Sequence, residues 1–445
     1  MRDFRQVADA VAAQISGGRL RPGDRLPTQR DFARRNAIAN STAGRVYAEL
    51  ARRGLVVGEV GRGTFVRAAA SQDGPALAEP AAAPVDLELN YPAVAGQSEL
   101  LGAGLARLAR PDVLAAALRP AGVTGTAAAR EAVGALLGSP GWQPDPSELL
   151  FAGNGRQVIA AALAALAPAG GRIGVEELTY PLVRAVAGRL GQTLVPLACD
   201  ADGLLPRALL DAHRAAPLSA VYLQPTLHNP LGTTMPDSRR AELADVLRET
   251  GVVAVEDAVW SFLRDAPPPL AAYLPKQVVL ADSLSKRLAP GLTLGFAVAP
   301  PRLAGPLTDA LRSAGSTPTG YALEAATGWL TDGTAATVAA AKRADAAARQ
   351  TIAARCLAGL AVRADPHAYF CWWDLPSPWR ADTFTAAAAR RGIAVTPATS
   401  FTVGPHRTPA AVRLGLANPS PAALRQALTT LAALSRRDPR DEAAR

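Results

Sequence analysis

Lysine is almost absent from this chain. Of 445 residues 47 are basic, and only Lys276, Lys286 and Lys342 are lysines; the other 44 are arginines. Cysteine is scarce as well. Cys199, Cys356 and Cys371 lie far apart with no paired spacing, which excludes a cysteine metal site and suits a reducing compartment. The histidines, His213, His228, His367 and His406, are equally dispersed, so no metal site is expected. No run of about 18 apolar residues occurs, so no membrane span is expected. The N-terminus opens on a charged amphipathic pattern, not a signal peptide, and the expected location is the cytoplasm.

The length is enough for two or three domains. The net charge of +9 is unevenly spread. Residues 1–68 carry 13 arginines against 6 acidic residues, whereas the remainder carries 34 basic and 32 acidic residues. A short, strongly basic segment is the electrostatic footprint of nucleic-acid binding.

One lysine stands in a distinctive place. The apolar run Gln277–Leu280 reads as a buried strand, and Ala281-Asp282-Ser283-Leu284-Ser285-Lys286 reads as the tight small-residue loop after it. Desolvation in a cavity would strip charge from the Lys286 amine and make it nucleophilic.

Along the chain, Val7, Val11 and Ile15 recur at helical spacing, and Gly17-Gly18 stops that helix. Thr28 can cap a second helix with Phe32 facing inward, and Ser41 or Thr42 starts a third, with Val46 and Leu50 inside and Gly54 at its end. Leu55-Val56-Val57 and Thr64-Phe65-Val66 read as two strands joined through 58–63. Three helices and a hairpin make a winged helix-turn-helix, an α+β unit whose third helix enters the major groove. Residues 4–67 resemble the DNA-binding domain of the GntR family, through Gly18, Pro22-Gly23-Asp24-Arg25-Leu26-Pro27, Arg30, Thr42, Arg45, Tyr47, Leu50, Gly54 and Gly61-Arg62-Gly63-Thr64-Phe65-Val66. That resemblance implies a double-stranded DNA operator as partner. It implies contacts from Arg30, Thr42 and Arg45, with Arg62 carried by the wing. Asn40 stands where family members often have arginine.

The DNA-binding domain is expected over 1–68 and an Ala/Pro-rich linker over 69–85. A second domain is expected over 86–435, and a charged, frayed tail over 436–445. Within 86–435, apolar runs at Arg172–Val175, Thr193–Leu197, Ala220–Leu223, Val252–Val255, Val278–Leu280 and Leu294–Val298 predict strands. Helical patterns such as Val158–Leu166 and Ser238–Thr250 separate several of them. The alternation predicts an α/β domain on a largely parallel, two-sided sheet, whose ligand lies beyond the strand carboxyl ends. Polar groups collect there: Gln224-Pro225, Glu256-Asp257, and Ser283 to Lys286.

A lysine-linked pyridoxal phosphate needs an amine, an anion at the pyridine nitrogen, a donor to the ring oxygen and a phosphate cradle. Lys286 offers the first, Asp257 the second and Asn229, in His228-Asn229-Pro230-Leu231-Gly232, the third. Gly153-Asn154-Gly155-Arg156-Gln157 opens a helix and suits the cradle, and Tyr180 can stack on the ring.

In order and spacing, residues 86–435 resemble the fold-type I aminotransferases of class I/II. The matching pieces are Gly125 with Arg130-Glu131, Gly155 and Gln157, Tyr180-Pro181, Asn229-Pro230 with Gly232, Asp257, Ser283 with Ser285-Lys286, Pro290-Gly291 with Gly295, and Arg413. The resemblance implies the α/β fold of type I pyridoxal-phosphate transferases with a C-terminal α+β subdomain. It makes Lys286 the internal aldimine, with Asp257, Asn229, Tyr180, Gly155, Gln157 and Ser283 around the cofactor, and it gives Arg413 the ligand carboxylate. Lys276 and Lys342 are expected to be dispensable for the aldimine.

Three positions depart from the family pattern. Trp260 replaces a tyrosine beside the ring, Thr293 replaces a phosphate-binding arginine, and Arg119-Pro120-Ala121-Gly122 lacks the partner-subunit tyrosine. Arg156 or Arg287 can restore the missing charge, Arg156 being better placed. A winged helix ahead of such a domain resembles the MocR subfamily of GntR regulators. The function this implies is a homodimeric transcriptional regulator that senses a small amino compound and is not primarily an enzyme. The alternatives are an active aminotransferase with a fused DNA-binding domain, and a regulator whose pocket is a cofactor-free dimerisation scaffold.

Overall fold

The computed structural model describes residues 4–16, 19–20, 24–52, 55–59, 63–66, 83–404, 408–439 and 442. Helices α1 (Phe4–Ser16), α2 (Gln29–Asn36) and α3 (Asn40–Arg52) precede an antiparallel hairpin of β1 (Val56–Glu59) and β2 (Gly63–Val66). Thr28 caps α2 by accepting a hydrogen bond from the Asp31 N–H at 3.2 Å, as its side chain suggests. Ala37 then turns the chain in the left-handed region, φ 52°, and α3 starts at Asn40, ahead of Ser41. Val7, Val11, Phe32, Val46, Leu50, Val56 and Val66 form one core. Tyr47 belongs to it, edge-on to Phe32 with ring centroids 5.2 Å apart, and its hydroxyl donates to the Pro27 carbonyl at 2.5 Å. The family-matching Tyr47 is therefore a packing residue.

The larger sheet contains β4 (Leu149–Ala152), β5 (Arg172–Glu176), β6 (Thr193–Leu197), β9 (Ala220–Leu223), β10 (Val253–Asp257), β11 (Val278–Ser283) and β12 (Gly295–Val298). A small hairpin, β7 (Cys199–Asp200) with β8 (Gly203–Leu204), stands outside it. The strand order is β4-β12-β11-β10-β9-β5-β6. All pairings are parallel except those of β12, which runs against both β11 and β4. Side chains alternate between two apolar layers. Leu149, Phe151, Val221, Ala254 and Leu280 face one layer; Leu150, Ala152, Tyr222, Val255 and Val279 face the other. Both faces are covered, which is why these strands read as unbroken apolar runs.

Two strands run further than their apolar runs. Hydrogen bonding carries β10 through Asp257, opposite Ala281, and β11 through Ser283, opposite Gly295. The polar residues expected just beyond these strands are thus their last, buried members.

The second sheet has the order β13-β14-β16-β15-β3: β13 (Val362–Ala364), β14 (Phe370–Asp374), β16 (Ala411–Gly415), β15 (Ile393–Pro397) and β3 (Val85–Leu87). Strand β3 joins the C-terminal sheet beside β15, so Val85, assigned to the linker by composition, already belongs to that subdomain. Of the linker, residues 69–82 lie outside the described residues. In the tail, where fraying was expected, Glu442 is instead buried, accepting from Arg391 at 2.6 Å and Arg437 at 3.3 Å. Among the described residues no helix is long and apolar enough to cross a membrane, and no cluster of metal-ligating side chains occurs.

Candidate cofactor and ligand site

Strand β11 delivers Ser283, whose Oγ accepts the Ser285 N–H at 3.3 Å and caps the four-residue helix Leu284–Arg287. Lys286 projects from that turn into a cavity of about 490 Å³ at the carboxyl ends of the parallel strands. Its Nζ donates to the Asn90 carbonyl at 2.6 Å and lies 3.8 Å from the Tyr91 ring centroid and 5.1 Å from that of Trp260. Burial, reinforced by Arg156, Arg413 and Lys342, holds its pKa well below the usual lysine value, while Asp257 opposes the shift. Burial thus disfavours the charged form of this amine.

The turn is pinned from behind by a second lysine. Lys342, on the helix Thr334–Cys356, is fully buried. Its Nζ donates to the carbonyls of Lys286, at 2.9 Å, and of Leu288.

At the end of β10, Asp257 lines the cavity and accepts hydrogen bonds from the Tyr222 hydroxyl at 2.6 Å, Gln224 Nε2 at 2.8 Å and the Val259 N–H at 3.1 Å. Burial raises its pKa, and these three donors pull against that rise. Such a carboxylate is set to receive a cationic N–H.

The helix Gly155–Leu166 points its N-terminus at the cavity. Asn154 Oδ1 caps it by accepting from the Gln157 N–H at 3.1 Å. The loop is packed tightly: a Cβ on Gly155 would come within 3.0 Å of Ser283 Oγ, and one on Gly295 within 2.2 Å of the Asn154 backbone. Gln157 Oε1 is buried without a partner. Gln157 itself does not line the cavity, whereas Gly155, Arg156 and Ser283 do. Arg156 Nη2 donates to the Tyr91 hydroxyl at 2.5 Å. Arg287, the other candidate for the missing charge, is bound to Asp282 at 2.7 Å and does not line the cavity. Thr293, in place of the family's arginine, bonds Ser285 Oγ at 2.6 Å.

Tyr180 sits at the head of the helix Pro181–Arg189 and lines the cavity. Burial raises its pKa, opposed by the Arg156 guanidinium. Trp260 is buried against Phe370, with centroids 5.7 Å apart. Asn229 lines the same wall, where its Oδ1 accepts from Arg413 Nη1 at 3.3 Å. Arg413, on β16, is only 7% exposed. Its Nη2 donates to Thr396 Oγ1 at 3.0 Å and to the Glu88 carbonyl, while Nε has no partner. Burial lowers its pKa to about 10. Arg413 thus sets a buried guanidinium at the edge of the cavity, with Nη1 bonded to Asn229 alone.

Every cofactor-site residue expected from the sequence except Gln157 thus borders one cavity. Tyr91, Glu88 and Thr396 also line it and Tyr222 bonds Asp257, four residues that sequence reading missed. Asn90-Tyr91-Pro92 after a short strand was the available signal for Tyr91; Tyr222 lay hidden inside an apolar strand. None of Arg119, Pro120, Ala121 and Gly122 lines the cavity.

The profile of the family described as "Aminotransferase class I and II" matches residues 119–431. The chain belongs to the class I and II aminotransferase family. The profile "Bacterial regulatory proteins, gntR family" matches residues 4–66, and the fusion of the two is the MocR architecture. The protein described as "Uncharacterized HTH-type transcriptional regulator YdeF" of Bacillus subtilis is 28% identical over 418 residues, covering 94% of this chain and 90% of that protein. TauR of Rhodobacter capsulatus is 28% identical, over 66% of this chain and 67% of its own. Among solved structures, an archaeal alanine:glyoxylate aminotransferase aligns with a TM-score of 0.72 at 19% identity, covering 79% of this chain and 90% of that one. The α-aminoadipate aminotransferase LysN of Thermus thermophilus aligns with a TM-score of 0.71 at 22% identity, covering 81% and 93%. These structures share the type I transferase fold.

The cofactor of this family is pyridoxal phosphate, and the aminotransferase domain's residues fit it. The amine of Lys286, the raised carboxyl of Asp257 and the crowded helix-capping loop at Gly155 all border one space.

On the DNA-binding side, Arg30 on α2 and Arg45 on α3 are exposed and Thr42 is half-buried. The Arg45 guanidinium lies 4.1 Å from the Phe4 ring centroid, a contact that holds the side chain at the domain surface. Arg62 lies outside the described residues.

Proposed function

We propose that this chain is a DNA-binding transcriptional regulator whose aminotransferase domain holds pyridoxal phosphate covalently at Lys286 and responds to a small amino compound. The observation that carries the reading is the Lys286 amine, buried in a cavity that Asp257 and Arg413 also line. The relatives named above, YdeF and TauR, are regulators by name, which supports the same reading.

Pyridoxal phosphate supplies an aldehyde that condenses with amines and a ring that withdraws electrons from the carbon beside the nitrogen. The chain's own residues do the rest. Lys286 gives the attacking amine. Asp257, braced by Tyr222 and Gln224, holds a proton at the ring nitrogen. The Gly155 helix terminus and Arg156 take the phosphate. Arg413 takes the ligand carboxylate, and Tyr180 and Trp260 wall the ring.

Response is favoured over turnover. Thr293 spends its hydroxyl on Ser285, and Trp260 has no hydroxyl to offer. A ring held less firmly suffers in proton transfer, where small misplacement is costly, more than in ligand exchange.

A path to the DNA-binding domain is short. The Phe65 ring of β2 lies 4.1 Å from the Arg380 guanidinium. Arg380 caps the helix Ala381–Ala389, which packs on β15, and β15 pairs with the Arg413 strand β16. We assign residues 1–68 to operator binding, through Arg30, Thr42, Arg45 and Arg62, and residues 86–435 to ligand binding. Two copies are proposed to pair through exposed Leu100, Leu114, Leu118 and Tyr321, of which Leu118 is 77% exposed; these residues lie on or next to helices that touch one another. The assembly is proposed to act in the cytoplasm.

The test is a panel of amino compounds added to full-length protein, read by absorption, operator affinity and keto-acid formation. A spectral shift that changes operator affinity, with little keto acid formed, supports the reading. Turnover near the enzyme median of about 10 per second with unchanged operator affinity contradicts it.

A further inference from the structure

The acidic groups around the cavity are not equally committed. Asp257 accepts from Tyr222, Gln224 and Val259, and Asp282 is paired with Arg287. Asp86, two residues before Glu88 and outside the cavity lining, accepts the N–H groups of Glu88 and Leu89 at 2.7 and 3.0 Å. Glu88 differs. It is half-buried and lines the cavity, and among the described residues its carboxylate has no hydrogen-bond or ion-pair partner.

Glu88 stands beside Arg413. Arg413 Nη2 donates to the Glu88 main-chain carbonyl and not to its carboxylate, so the two side chains border one space without pairing with each other. Burial, with the Asp86 charge, raises the Glu88 pKa, and Arg413 only partly offsets this. A carboxylate so placed gains from a cation brought by the ligand. Arg413 provides the second, independent sign of a ligand, because it lines the same cavity with a buried guanidinium whose Nη1 bonds Asn229 alone. Leu89, Pro181 and Phe401 give the same cavity apolar wall, suited to methylene groups.

Granted the ligand-binding reading above, we propose that the ligand is a basic amino acid, whose carboxylate meets Arg413 and whose distal ammonium or guanidinium meets Glu88. A neutral side chain of equal length would leave the Glu88 carboxylate half-buried and unpaired. An acidic side chain would meet it with like charge.

The experiment titrates full-length protein carrying its cofactor with lysine, ornithine and arginine, with norleucine and norvaline as uncharged counterparts, and with glutamate. Absorption of the bound cofactor is the readout. The expected result is at least about tenfold tighter apparent binding of lysine than of norleucine, with glutamate weakest. Glu88→Gln keeps the shape and removes the charge, and should bring the lysine-to-norleucine ratio near one. Glu88→Asp should retain part of it. A general loss of packing would weaken both ligands and leave the ratio in place. Norleucine or glutamate binding as tightly as lysine overturns the proposal, as does an unchanged ratio in Glu88→Gln. A cofactor band that no amino compound moves sinks the sensing reading, and this proposal with it.

Discussion

Lys342 Nζ donates to the main-chain carbonyl of Lys286 at 2.9 Å, so one buried lysine positions the turn that carries the other. By sequence, Lys342 and Lys276 were equivalent bystanders. The structure separates them: Lys276 is exposed, and Lys342 closes the Lys286–Leu288 turn from inside. Replacing Lys342 by Ala leaves two buried carbonyls without their donor and opens a cavity. The expected cost is about 3 kcal/mol, read by chemical denaturation, against no change for Lys276→Ala.

The same residue gives a pH dependence. Burial lowers the Lys342 pKa from 10.5 to about 7. Between those values the unfolded chain binds the proton and the folded chain does not, so this residue's contribution to stability rises with pH. Its penalty is complete below about pH 7 and gone above the unfolded value. Relative to Lys342→Met, the wild type should gain on the order of 2 kcal/mol between about pH 7 and about pH 9. Parallel stability profiles for the two proteins would contradict the assignment.

Arg413 should set ligand class. Arg413→Ala is expected to weaken carboxylate-bearing amino compounds by roughly 2–5 kcal/mol, as loss of a buried charge partner does. Simple amines without a carboxylate should lose far less. Spectral titration of one amino acid and its decarboxylated amine in both proteins checks this, and equal losses for the two would refute it.

DNA affinity should fall steeply with salt, because the basic residues of 1–68 displace counterions from phosphates. Arg45→Ala should cost about 1–3 kcal/mol on a specific site if the arginine reads a base edge. The measurement is operator affinity over a salt series, and a flat series would remove the DNA-binding assignment.

Much of this molecule was legible beforehand because its strands are buried on two faces. Ala220–Leu223, buried throughout, is the observed strand residue for residue, and so is Thr193–Leu197 at the sheet edge. The site residues at strand ends were legible through residue type and spacing. Other parts were not. β3 pairs with a strand some 300 residues away, and three residues carry no periodicity of their own. Tyr222 looked like one more apolar strand residue, yet its hydroxyl supports Asp257. Glu88 and Tyr91 reach the cavity only through the long-range pairing of β3, which no local pattern reveals. Arg156 and Arg287 were both open as replacements for the missing arginine. Only the packing shows that Arg287 is taken by Asp282.

The central claim is that Lys286 holds the cofactor that makes this chain a sensor. The most direct measurement is the visible absorption of full-length protein after incubation with pyridoxal phosphate, followed by borohydride reduction and mass analysis. Wild type and Lys276→Ala are expected to show the band and to retain the reduced cofactor on a peptide containing Lys286. Lys286→Ala is expected to show neither. A band that survives in Lys286→Ala, or a label found on another lysine, would contradict the account.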